Sequence, residues 1–258
     1  MEDTGVSPVI GTTAHERTHY KTIDKMKQEQ SRRIQTSVLN AAEKKVLVWL
    51  AQRQPRWVTS DGLTAIGVAG AIIVALGYIL SNHHIGWLWL ASLGFVINWY
   101  GDSLDGTLAR VRNMQRPIYG FFLDHNIDGI TMAIMCIGAG LSGMLNLYIA
   151  MAVLAVYLML SISVYINAHL KNEFKLTYAS MGPTEFRIIM VVVNTLFATI
   201  APLREWAVCF HVFGTPFTLG AFDIIGLIIL VVLIILYLNN LYNDAEEYAE
   251  IDPVKPYK

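Results

Sequence analysis

Charge is scarce along this chain, and cysteine is scarcer. Only 15% of the 258 residues are charged while 54% are hydrophobic, a balance too apolar for a soluble domain and one that places the chain in a bilayer. The formal net charge is -1 and no long basic run occurs, so nucleic acid is not an expected partner. The two cysteines, Cys136 and Cys209, cannot build a disulfide framework. One falls in an apolar span and the other in an outer loop, so neither pairing nor redox chemistry is indicated. Internal repeats and low-complexity tracts that would mark a second folded domain are also missing. Residues 1–30 are polar and lack the apolar core of a signal peptide, so insertion has to rely on later segments.

What is present divides the remaining chain into three. Over residues 31–54, Ile34, Val38, Ala42, Val46 and Trp49 recur every three or four positions, with Arg32, Arg33, Lys44 and Lys45 on other faces. This pattern predicts an amphipathic helix lying at the membrane surface, its basic residues among lipid headgroups. Residues 55–242 contain six apolar stretches, Leu63–Leu80, Ile85–Tyr100, Phe121–Ser142, Leu147–Ala168, Phe186–Ala201 and Phe222–Leu241, each near the length that crosses hydrocarbon. The expected fold is therefore an all-α integral membrane protein of six transmembrane helices, followed by an acidic tail over 243–258. With both termini on one side, that side carries 18 of the 19 Lys and Arg residues, and only Arg204 falls opposite. The positive-inside rule then puts the termini in the cytoplasm.

The second span runs into Asp102 and Asp105, and the third begins with Asp124 and Asp128. Spacings of three and four put each pair on one helix face, and antiparallel neighbours would bring the faces together. Insertion scales charge about 2.5 to 3.5 kcal/mol for an aspartate at a helix centre, so four left uncompensated would cost on the order of 10 kcal/mol. Two hard divalent ions, Mg²⁺ or Mn²⁺, would cancel the charge and leave coordination sites for phosphate oxygens. Gly106 and Gly120 remove side chains where phosphates need room, and Arg110 offers a cationic fork. Two blander readings compete: interfacial aspartates solvated by water, and the buried acids of an ion or proton transporter. The latter predicts charge near the bilayer midplane and internal repeats.

The pattern Asp102-x-x-Asp105-Gly106-x-x-Ala109-Arg110, then Gly120-x-x-x-Asp124-x-x-x-Asp128, resembles the signature of the CDP-alcohol phosphotransferase family. The resemblance implies that the four aspartates hold two divalent ions against a pyrophosphate, that Gly106, Ala109, Arg110 and Gly120 line a CDP site, and that Asp128 is either a general base or a metal ligand only. It also implies a CDP-alcohol donor, an alcohol acceptor drawn from membrane lipid metabolism and CMP as product; the charge asymmetry of the loops puts the aspartates, and with them the expected active site, at the cytoplasmic helix ends. Monomer and homodimer both stay open. The stretch from Pro55 to Thr64 is similar to the family's entry to the first span near the cytidine, with Asp61 where Asn is usual. Asp61 and Thr64 are thus candidates for base contact, and Asp61 alternatively for capping the first helix.

Family members with phosphorylated acceptors resemble one another in a Tyr-x-Arg-Ala-Arg segment at the end of span four. Here the segment is Tyr165-Ile166-Asn167-Ala168-His169. Without those guanidinium groups, and with only Lys171, Lys175 and Arg187 as substitutes, an unphosphorylated hydroxyl acceptor is expected. His125 in Asp124-His125-x-x-Asp128, and Glu185 in Gly182-Pro183-Thr184-Glu185, resemble the choline and ethanolamine phosphotransferase branch and become candidate bases. Ordinary roles compete, His125 as a support for a metal-ligating aspartate and Glu185 as part of a helix start.

Overall fold

Glycines on two successive apolar segments let their helices approach until backbone touches backbone. In the computed structural model, which describes residues 32–34, 40–171, 173–175, 182–212 and 215–254, these are α2 (Ser60–Leu80) and α3 (Leu88–Val111). A Cβ on Gly70 would lie 2.3 Å from the backbone nitrogen of Asn98, and one on Gly101 would lie 2.2 Å from that of Gly67. The buried Asn98 locks the seam by donating from Nδ2 to the Gly67 carbonyl at 2.9 Å. Helix α1 (Asn40–Arg53) precedes this pair, and α4 (Pro117–Gly140), α5 (Leu147–Lys171), α6 (Pro183–Thr199), the short α7 (Ala201–Glu205) and α8 (Ala221–Ile251) follow it.

The central core joins α2, α3, α6 and α8, with Ala139 of α4 and Ile149 and Ala150 of α5 packed into it. Tyr78 meets Phe95 and Phe222 edge-on at centroid distances of 6.4 and 6.1 Å, and Phe197 meets Phe222 at 5.0 Å. The Tyr78 hydroxyl donates to Oδ1 of buried Asn194 at 3.0 Å, which meets the hydrogen-bonding need of both groups. Asp223 is buried because it serves two helix starts, accepting from the Gly220 amide at 2.8 Å and the Asn146 amide at 2.6 Å.

Three of the described helices are long and apolar enough to cross a membrane: Ser60–Leu80, Leu147–Leu170 and Ala221–Ile251. Helices α3 and α4 are diluted by the polar residues around their aspartates, and α6, at 17 residues, is short. The second apolar stretch runs on without a break as α3 to Val111, carrying Asp102 and Asp105 on the same helix as expected. Several expectations need correction. Among the described residues α1 starts at Asn40, not at 31, and Arg32–Ile34 form a strand, β1, parallel to β2 (Glu173–Lys175). Leu47 and Ala51 are its buried face, packed with Leu63, Leu104 and Leu108, while Val46 and Trp49 are exposed. The segment before α8 is an antiparallel hairpin, β3 (Ala207–Val212) with β4 (Thr215–Gly220), which carries the exposed Cys209. The tail remains helical to Ile251. Residues 1–30, and the end of the acidic tail from 255, lie outside the described residues.

If the α2–α3 seam is backbone against backbone, Gly70→Ala forces the helices apart at a cost of about 1–3 kcal/mol. Its melting temperature in detergent is expected to fall by several degrees. Gly120→Ala, whose Cβ meets no atom within 4 Å, is expected to melt like the wild type.

Candidate metal and phosphate site

Helices α3 and α4 both pack on α2, and their aspartates converge. One carboxylate oxygen from each of Asp102, Asp124 and Asp128 lies within 4.8 Å of the others, and all three residues are half-buried. A set of hard oxygens at that separation suits a divalent cation. Asp105 is not in this group. Its Oδ2 accepts from the Thr64 hydroxyl at 2.6 Å, its Oδ1 accepts from the Gly106 amide, and its backbone carbonyl accepts from Ser60 Oγ at 2.9 Å. The structure therefore brings together three of the four expected ligands and fixes the fourth against α2.

Arg187 on α6 completes the cluster, and its part there was missed in the sequence. Its Nη2 donates to Asp102 Oδ2 at 2.6 Å and its Nε to Asn98 Oδ1 at 2.9 Å. One signal was available: Asn98 and Asp102 at i and i+4 form a polar stripe, and it faces the start of the fifth apolar stretch. Thr184, one turn before Arg187, donates to Glu43 on α1 at 2.6 Å, and Glu43 also accepts from Trp99 Nε1 at 2.9 Å. Arg112 at the end of α3 donates to the carbonyls of Gln54, Pro55 and Val58, at 3.0, 2.9 and 2.5 Å, tying the entry loop of α2 to the aspartate helix. A cleft of about 380 Å³ beside that loop is lined by Gln54, Trp57, Thr59, Gly62 and Tyr100 among others, with none of the aspartates in its wall.

Residues 57–243 match the family described as CDP-alcohol phosphatidyltransferase. The chain belongs to that family. Cholinephosphotransferase 1 of Homo sapiens is 27% identical over 158 residues, which cover 58% of this chain and 38% of the relative. The Danio rerio cholinephosphotransferase 1 is 30% identical over 96 residues, 35% of this chain and 25% of the relative. A phosphatidylinositol phosphate synthase of Cutibacterium acnes is 28% identical over 158 residues, covering 58% of this chain and 73% of that protein. The chain thus spans about two fifths or less of these two cholinephosphotransferases. Membership places it among the membrane transferases of phospholipid biosynthesis.

The other expected positions of this family member can now be located. Asp61 does not cap α2: Thr59 does, accepting from the Gly62 amide at 3.1 Å. Asp61 instead holds Arg116 Nη2, at 2.5 and 2.6 Å to its two oxygens, and that hydrogen bond pushes the Arg116 pKa up. Arg110 is exposed and donates to Thr107 Oγ1 at 2.9 Å; beside it, Ala109 is half-buried, and a Cβ on Gly106 would make ordinary contact with the Arg110 guanidinium at 3.4 Å. Neither Gly106 nor Gly120 is required by close protein packing. The His125 ring stacks on Phe121 at 4.0 Å and meets Tyr165 edge-on at 4.8 Å. Its Nδ1 lies 2.6 Å from the Phe121 carbonyl, which can only accept, so Nδ1 carries a proton. Glu185 accepts from the Gly182 amide at 2.9 Å, an ordinary helix-start contact. Asn167 is held from α8 on both sides, donating to Asp244 at 2.5 Å and accepting from the Tyr248 hydroxyl at 2.7 Å.

The bond from Thr64 supports the Asp105 carboxylate at a charge-assisted strength, worth about 1.5–3 kcal/mol. Thr64→Val is expected to lower kcat/KM for CMP release by about tenfold or more, and Thr64→Ser to stay within about twofold of wild type. Equal loss in both variants would assign the effect to shape rather than to the hydroxyl.

Proposed function

We propose that this chain transfers a substituted phosphate from a CDP-alcohol to the hydroxyl of an unphosphorylated alcohol, releasing CMP. The observation that carries the reading is the convergence of Asp102, Asp124 and Asp128 from two helices. Asp105, one turn beyond Asp102, is the fourth acid of the set. Two ions, Mg²⁺ or Mn²⁺, would supply charge neutralisation at the pyrophosphate when bound. The chain's own residues do the rest. Gly106, Ala109, Arg110 and Gly120 border the CDP position, with Arg110 facing charge on the departing CMP. Asp61 and Thr64 lie at the entry of α2 beside the cytidine. The acceptor oxygen bonds to the phosphorus distal to cytidine, the bond from that phosphorus to the CMP oxygen breaks, and the acceptor proton passes to a base. Asp128 is the first candidate for that base. His125 is the second, through Nε2, since Nδ1 is already protonated; Glu185 is the third, at the cost of its helix-start contact.

Support for an unphosphorylated acceptor comes from Asn167 and its neighbours. Its amide is engaged by a carboxylate and a phenol, which is poor chemistry for a phosphate monoester. The guanidinium of Arg187 is already committed to Asp102 and Asn98. The relatives' names include a cholinephosphotransferase and a phosphatidylinositol phosphate synthase. The two pairings to test are thus CDP-diacylglycerol with a small polar alcohol, and CDP-choline or CDP-ethanolamine with a lipid alcohol. Six spans, a surface-lying α1, both termini in the cytoplasm and the active site on that face complete the reading, supported by the charge asymmetry of the loops. Membrane lipids are the surrounding partners, and a homodimer is the assembly to test for.

The deciding experiment incubates purified protein with each donor and measures CMP release against inositol, inositol phosphate, glycerol, glycerol phosphate and diacylglycerol. Turnover with a free alcohol is expected, abolished by EDTA and lowered about a hundredfold or more in Asp102→Asn or Asp124→Asn. Metal-independent release would overturn the chemistry, and turnover with phosphorylated acceptors alone would overturn the acceptor class. For orientation, native Cys209 is the probe, because Cys136 is buried. An impermeant thiol reagent is expected to label Cys209 in intact cells, and to spare a cysteine engineered near Asn243; the reverse pattern would invert the topology.

A further inference from the structure

A site of three mutually close carboxylates repels itself until a cation arrives, yet this one already has a cation of its own. Arg187 reaches it from α6, with its side chain 14% exposed and Nη2 2.6 Å from Asp102 Oδ2. The contact is held from behind. Asn98, 2% exposed, donates its Nδ2 to the Gly67 carbonyl, so its amide orientation is determined and its Oδ1 must face the Arg187 Nε, 2.9 Å away. The guanidinium is thus anchored at Nε on one partner and extends Nη2 to another. It can release Asp102 while keeping its hold on Asn98.

We propose that Arg187 is a resident counter-cation that competes with the divalent metal for Asp102 and thereby sets the metal affinity of the site. The proposal rests on the metal reading of the cluster given above. A metal ion at the three carboxylates and the guanidinium draw on the same Asp102 charge, and with both present two cations stand within a few ångströms of one another. Binding therefore has to weaken the Arg187–Asp102 contact or tolerate the repulsion; either lowers affinity. In return, the metal-free protein does not leave three half-buried carboxylates facing one another without a cation. The opposite role is equally definite in its consequences: if Arg187 merely orients Asp102 for the metal, removing it weakens binding.

The sign of one measurement separates the two. Mn²⁺ binding to purified, detergent-solubilised protein is titrated by electron paramagnetic resonance of the free ion, and melting is followed in EDTA and in saturating Mn²⁺. Arg187→Met is expected to bind Mn²⁺ about tenfold more tightly than wild type. It should also melt below wild type in EDTA and gain more from added Mn²⁺. Should Arg187→Met not fold, Arg187→Lys carries the same test, because a single ammonium cannot span Asn98 and Asp102 together and competes less well; it too is expected to bind more tightly. Unchanged or weaker binding in the folded variant overturns the counter-cation role. Absence of saturable Mn²⁺ binding to wild type, or binding by Asp102→Asn as tight as wild type, instead overturns the metal reading and with it this inference. These results do not depend on turnover.

Discussion

The close approach of α2 and α3 governs everything built on them. Gly67, Gly70 and Gly101 leave no side-chain layer between the two backbones, and in a membrane, where lipid is as apolar as leucine, such contact is a main source of helix association. Once the seam is closed, Thr64 on α2 stands opposite Asp105 on α3, and Asn98 can reach the Gly67 carbonyl. The aspartates are therefore positioned by glycines that never touch a substrate. The aspartate cluster inherits its geometry from the packing below it.

Charge organises the next layer. Three carboxylates from α3 and α4, a guanidinium from α6 and the amide of Asn98 form one connected polar cluster. Through Thr184 and Glu43 it continues to α1, and through Arg112 to the entry loop of α2. Segments distant in sequence are thus tied to the same aspartate helix by hydrogen bonds to fixed partners, which limits how far any of them can move alone.

Much of this was legible in the sequence, for physical reasons. Carboxylates inside apolar helices are so costly that their spacing draws notice; periodicity put Asp124 and Asp128 on one face, and the packing of antiparallel neighbours then brought Asp102 to them. Asp105 escaped because the hydroxyl that holds it lies 41 positions earlier, beyond the reach of local pattern. The protein-facing side of α1 went unread for a related reason: Leu47 and Ala51 are less conspicuous than Trp49, yet they are the ones that meet Leu104 and Leu108. The hairpin at Ala207–Gly220 left a readable trace, since Val208, Phe210 and Val212 alternate with smaller or polar residues as in a strand. The helical tail was concealed by its polarity, although Asp244 to Glu250 is a run that favours helix once Asn167 holds it.

The polar contacts between α5 and α8 also measure something. Asn146 meets Asp223 and Asn167 meets Asp244, two contacts with the same separation of 77 residues, so the two helices run parallel and in constant register. The rungs are 21 residues apart on each helix, a rise of about 32 Å. Between them α5 and α8 are almost wholly apolar, and about 30 Å is the thickness of a bilayer's hydrocarbon. The two rungs are a built-in ruler, bracketing an apolar stretch about as long as that hydrocarbon is thick. At its far end Asn167, Asp244 and Tyr248 gather the polar groups that this stretch lacks.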